Sequence, residues 1–135
     1  MIRYRTPDKA KARSMISAAE NEITFIKTIP PMTASASIII RTIYESFRML
    51  GDALLLLRGK EAVGQDHHKI MIEELLTLSV QTTRRTQALL NLKDLRHRIN
   101  YNGYIPAPAE AIDALSIADG CFQPLAQKIR EEYKI

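Results

Sequence analysis

Arg96 stands where its helix should present an apolar side chain. Leu89, Leu92, Arg96 and Ile99 follow one another at steps of three, four and three residues, so a helix puts all four on one face. A guanidinium cannot shed its charge and is costly to bury alone. An arginine on such a face snorkels to solvent, meets a carboxylate or receives a phosphate. His97 can move protons near neutral pH, whereas Asn102 can only orient groups through its amide hydrogen bonds. Tyr101 and Tyr104 can stack on bases or anchor the connector that follows.

A carboxylate for Arg96 is also at hand. Arg41, Glu45, Arg48 and Asp52 are spaced four, three and four, a polar ladder whose members can pair along one helix. In the alternative, Glu45 holds an arginine from another helix. An Arg96–Glu45 bridge would then be structural, and the chain a non-catalytic dimeric interaction protein. His67-His68 invites a metal reading, but Met71 and Ile72 occupy the positions four residues on, so the pair reads as polar residues at a helix start, and no metal site is expected. Neither a phosphate loop nor a dinucleotide fingerprint is present, so no cofactor is expected. The single Cys121, beside Phe122, reads as a core thiol.

The elements that would position these residues are helices. Thr6-Pro7 predicts a cap and first helix to about Thr28, through Ala12, Ile16, Ala19, Ile23 and Ile26, with Pro30-Pro31 as the stop. Thr33 would cap a second helix bearing Ile40, Ile43, Phe47, Leu50, Leu54 and Leu57 and ending at Gly59. Asp66 can cap a third, running to about Val80. A fourth starts at Thr82 or Thr83, carries the Arg96 face and leaves through Asn102-Gly103. A fifth runs from Pro108 towards Tyr133, with a kink expected at Pro124. No alternating strand pattern is visible. The architecture implied is all-α, an antiparallel up-and-down bundle of four to five helices. A length of 135 residues suits one domain, 1–135.

This layout, with Arg96-His97 near the end of the penultimate main helix, resembles the HEPN superfamily. Its signature is an arginine, four to six residues beginning preferentially with Asn, Asp or His, and then a histidine. Here Tyr101 falls at the count of four and Asn102 at five, each in place of the closing histidine. Asn102-Gly103-Tyr104 has the shape of the continuation found in some HEPN toxins. Tyr44-Glu45, followed by Phe47, Leu50 and Ala53-Leu54, is similar to the second helix of solitary members. The resemblance implies RNA binding and a toxin-type, metal-independent ribonuclease chemistry centred on Arg96, His97 and Asn102. In that chemistry the arginine stabilises charge on a scissile phosphate and the histidine transfers protons. It also implies a homodimer and a small nucleotidyltransferase as partner.

The net charge of +4 permits nucleic-acid contact without requiring it. Ile38 to Ile40 and Leu54 to Leu57 present apolar residues on more than one face of the second helix, which predicts a symmetric dimer. The longest apolar run, Ala53 to Leu57, falls far below the roughly 20 residues of a membrane span. With no secretory pattern at Met1 to Arg5, an intracellular, cytoplasmic protein is expected.

Overall fold

A computed structural model describes all residues, 1–135. Five helices, α1 (Lys9–Ile26), α2 (Ala36–Leu57), α3 (His67–Leu76), α4 (Ala88–Asn102) and α5 (Pro108–Tyr133), form an all-α bundle. Two three-residue strands, β1 (Ile2–Tyr4) and β2 (Lys60–Ala62), pair antiparallel with Arg3 opposite Glu61. The strands were not anticipated because three residues are too few to display an alternating pattern.

The apolar spacing in α1 and α2 becomes burial. Ala12, Ile16, Ala19, Ile23 and Ile26 face inward from α1, and α2 is the hub against which α1, α3, α4 and α5 all pack. Ile39, Ile40 and Leu54 to Leu57 are buried within the single chain, so most of the surface expected to need a partner is already covered. Ile38 alone of that group is half exposed, at 50%. The caps differ in detail from expectation. Asp8, not Thr6, caps α1 by accepting from the Lys11 N–H at 3.0 Å, and Ser35, not Thr33, precedes α2.

The connection after α2 decides where the site forms. Gly59 turns with a positive φ of 72°, a conformation that favours glycine, and β2 carries the chain back along α2. Helix α3 then ascends in the same sense as α2: Tyr44 lies beside His68, Gly51 beside Met71, and Arg58 beside Glu74. The start of α3 is thereby delivered to the middle of α2, next to α4.

Residues 77–87 do not continue α3 or begin α4 as expected. They cross α5, where Arg84 donates to Asp113 and Ser116, each at 3.0 Å, and the Cys121 thiol donates to the Arg84 carbonyl. This crossing needs Gly120, because a Cβ there would lie 2.6 Å from the Thr83 hydroxyl oxygen. Pro124 removes one hydrogen bond from α5 at the Gly120 carbonyl, yet the helix runs on to Tyr133. Glu20 and Arg130 clamp α5 to α1 through two contacts of 2.7 Å. No helix is long and apolar enough to cross a membrane.

Candidate phosphate-binding cleft

Two clefts meet at Arg96. The larger, about 750 Å³, opens between α1, α2 and α4, with Phe25 and Ile38 on its rim and Glu22, Arg41, Glu45 and Asn100 among its polar walls. The smaller, about 280 Å³, lies between α4 and the start of α3, with Tyr44 of α2 at its base. Arg96 lines both.

The arginine is half-buried and makes no ion pair. With its amide oxygen turned towards the guanidinium, Asn100 accepts from Arg96 Nε at 3.1 Å and Nη2 at 3.2 Å. The guanidinium also lies 5.3 Å from the centre of the Tyr44 ring, a cation–π contact. Glu45 does not hold it. That carboxylate accepts from Arg48 on its own helix, at 2.9 Å from Nε and through a second contact from Nη2, while Arg48 Nη1 reaches the Met71 sulfur at 3.3 Å. The interhelical bridge to Glu45 is therefore corrected to an intrahelical one, favoured because residues three apart already share a face and lose less freedom on pairing. Asp52, the last rung of the ladder, is taken by Arg5 at 2.8 Å.

Opposite Arg96 stand residues that the sequence did not bring to it. Asp66, His67, His68 and Lys69 of the α3 start face Lys93, Arg96, His97 and Tyr101 of α4 across the smaller cleft. Three permanent cations and one carboxylate line it; Lys69 lies 3.9 Å from Glu73 and Lys93 3.5 Å from Asp94, so Arg96 is the cation among them with no carboxylate partner. The α3 terminus adds to the positive potential: Asp66 makes no side-chain cap bond, and the His68 and Lys69 amides have no backbone partner. Unpaired first-turn amides favour an anion.

The electrostatics follow from this crowding. Burial, then the neighbouring His67 ring and the Arg48 and Arg96 guanidinium groups, push the His68 imidazole down to about 4, against a smaller opposing effect of Glu45. Burial likewise pushes the Tyr44 phenol up to about 12, and its hydroxyl is buried without a hydrogen-bond partner. His67 Nδ1 donates to the Gly64 carbonyl at 2.8 Å. The His67 and His68 rings meet edge to face with centres 4.2 Å apart.

The other residues singled out in the sequence divide between the cleft and its periphery. His97 and Tyr101 lie one turn apart with ring centres separated by 4.7 Å, and Tyr101 is 68% exposed. Asn102 is exposed at the last turn of α4 and lines neither cleft. Tyr104 lies beyond Gly103, whose φ of 65° ends the helix. Its hydroxyl donates to Glu110 at 2.6 Å and the Arg98 guanidinium covers its ring at 4.0 Å. Glu110 also accepts from the Ala107 N–H, so Tyr104 anchors the connector into α5, and its hydrogen bond holds the Glu110 carboxyl below its ordinary range.

No protein-family model, curated protein or solved structure matches this chain.

Proposed function

We propose that the chain is a HEPN-like RNA-binding protein that holds the phosphodiester backbone in the cleft between α3 and α4. The observation that carries this reading is the unpaired, half-buried Arg96 between two further cations and an uncapped helix start. A planar guanidinium with no carboxylate partner suits bidentate contact with a phosphate. Exposed Tyr101 at the cleft edge supplies a face on which a base can stack. The structural alternative for Arg96, a bridge to Glu45, lacks support because Glu45 is engaged by Arg48.

Single-stranded RNA binding measured by anisotropy over a range of salt concentrations tests the reading. Arg96→Met keeps the apolar stem, should weaken binding across sequences and should reduce the salt slope by about 1. RNA affinity and salt slope unchanged in a folded Arg96→Met protein would remove the phosphate role. The resemblance extends the reading to an intracellular toxin-type protein with a small nucleotidyltransferase partner, and to a homodimer. Exposed Phe25 and Ile38 beside Arg96 offer apolar surface for the latter. A monomer in sedimentation at micromolar concentration would remove the dimer.

A further inference from the structure

We propose that the α3–α4 cleft selects the terminal phosphate monoester of an RNA strand, seated between Arg96, the first-turn amides of α3 and the Tyr44 hydroxyl. The inference rests on the RNA-binding reading above and names the part of the strand that the cleft prefers.

It starts from a hydroxyl with nothing to bond. Tyr44 is only 1% exposed, and its Oη is buried without a hydrogen-bond partner. A buried donor is costly to leave unmade, and in this cleft a ligand oxygen can supply the missing acceptor. The ring's neighbours set the place. Tyr44 rises from α2 between His68 of α3, with ring centres 5.9 Å apart, and Arg96 of α4, whose guanidinium lies 5.3 Å from the ring centre. All three line the 280 Å³ cleft. Burial pushes the phenol up to about 12, so the hydroxyl keeps its proton at neutral pH and donates to an anion.

Donors therefore converge from three walls. Helix α2 contributes the Tyr44 hydroxyl. Helix α3 contributes the His68 and Lys69 N–H groups, which have no backbone partner, at an end where Asp66 makes no cap bond. Helix α4 contributes the Arg96 fork, engaged only by the Asn100 amide and the Tyr44 ring.

The number of oxygens separates a strand end from its interior. An internal phosphodiester offers two non-bridging oxygens and one charge, and its strand must leave in both directions. A monoester offers three terminal oxygens, carries about −1.5 to −2 charges at pH 7 and leaves in one direction. Three oxygens match three walls, and a floor closed by a buried tyrosine suits a group at the end of a chain. The second charge meets the positive end of α3 as well as Arg96. Asp66 is the one carboxylate lining the cleft, against Lys69, Lys93 and Arg96. The backbone behind the seated group leaves past Tyr101, exposed at the cleft edge.

The test uses an internally labelled single-stranded RNA of mixed sequence in three forms: phosphorylated at the 5′ end only, at the 3′ end only, or at neither. By anisotropy at one salt concentration, one of the phosphorylated strands should bind the wild-type protein at least about tenfold tighter than the unphosphorylated strand, and which one it is identifies the end. Tyr44→Phe removes only the hydroxyl. It should bring that ratio below about threefold and leave affinity for the unphosphorylated strand within about twofold. Because the hydroxyl has no partner in the free protein, Tyr44→Phe should also melt at the same temperature as wild type or higher, which a structural hydroxyl would not allow. Equal binding of the three strands by the wild-type protein would overturn this inference and leave the RNA-binding reading intact. A full preference retained by Tyr44→Phe, or a Tyr44→Phe protein that melts lower, would overturn it too, and absence of any RNA binding would overturn both.

Discussion

Gly51 is the position where backbone packing and the site are most directly coupled. A Cβ at this residue would sit 2.1 Å from the Met71 carbonyl oxygen and 2.7 Å from its carbonyl carbon. Both neighbours are backbone, so no side chain can swing aside. Restoring ordinary contact requires α3 to retreat by about 1.3 Å, the shortfall from the usual van der Waals range. Overpacking costs about 1–3 kcal/mol, and a clash with backbone belongs at the upper end of that range, from which alanine recovers about 1 kcal/mol through its better helix propensity. Gly51→Ala should therefore destabilise the fold by about 2 kcal/mol in urea melts. The functional effect should be larger, because His67 and His68 ride on α3 whereas Lys93, Arg96 and His97 do not. RNA affinity should fall with it, because the α3 wall of the cleft moves away from Arg96. A Gly51→Ala protein that is as stable as wild type or more so would refute the close approach of α2 and α3 and with it the placement of the histidines.

Acidification should expose His68 in the pH dependence of stability. Its folded-state value of about 4 lies below the ordinary 6.5, so the unfolded chain binds the extra proton between these limits and stability falls as pH drops from 6.5 towards 4. Solvent at the open cleft reduces the ideal slope, leaving about 1 kcal/mol over the window, and His68→Asn should be flatter by that amount in melts at pH 7 and pH 4.5. Arg58 donates to Glu74, Thr77 and Tyr133 at 2.9, 2.8 and 2.9 Å. Arg58→Met leaves the buried Glu74 carboxylate unpaired and should cost about 2–3 kcal/mol, with Glu74→Gln in the same chain restoring much of it; additive losses in denaturant melts would contradict the pairing. Asn102→His completes the spacing of the HEPN signature but adds its imidazole outside the cleft, so RNA affinity should stay within about twofold of wild type, and a tenfold gain would place the binding site at the end of α4 instead.

The helices were the most legible part of the chain because their signals are local. Pro108 and Tyr133 bound α5 in sequence and in structure, and Gly103 ends α4 as its type and position implied. The face of Leu89, Leu92 and Ile99 is buried, with Arg96 half-buried among them. The segment 77–87 was misjudged because its conformation depends on Gly120, Asp113 and Cys121, all more than 25 residues away. The site was half legible for the same reason. Arg96, His97 and Tyr101 share one helix, so their spacing reveals them. His67 and His68 reach them only because β1 and β2 redirect the chain after α2, a pairing of residues 58 apart that no local pattern encodes. Tyr104 and Glu45 have local partners, Glu110 and Arg48, that engage them before any more distant group.

The most direct test of the phosphate cleft is to follow the three histidine imidazole signals by NMR during titration with single-stranded RNA. The account predicts large, saturating shifts at His68 and His97, a smaller one at His67, and loss of all three in Arg96→Met. Shifts confined to the basic start of α1, at Lys9, Lys11 and Arg13, with the histidine signals unmoved, would contradict it.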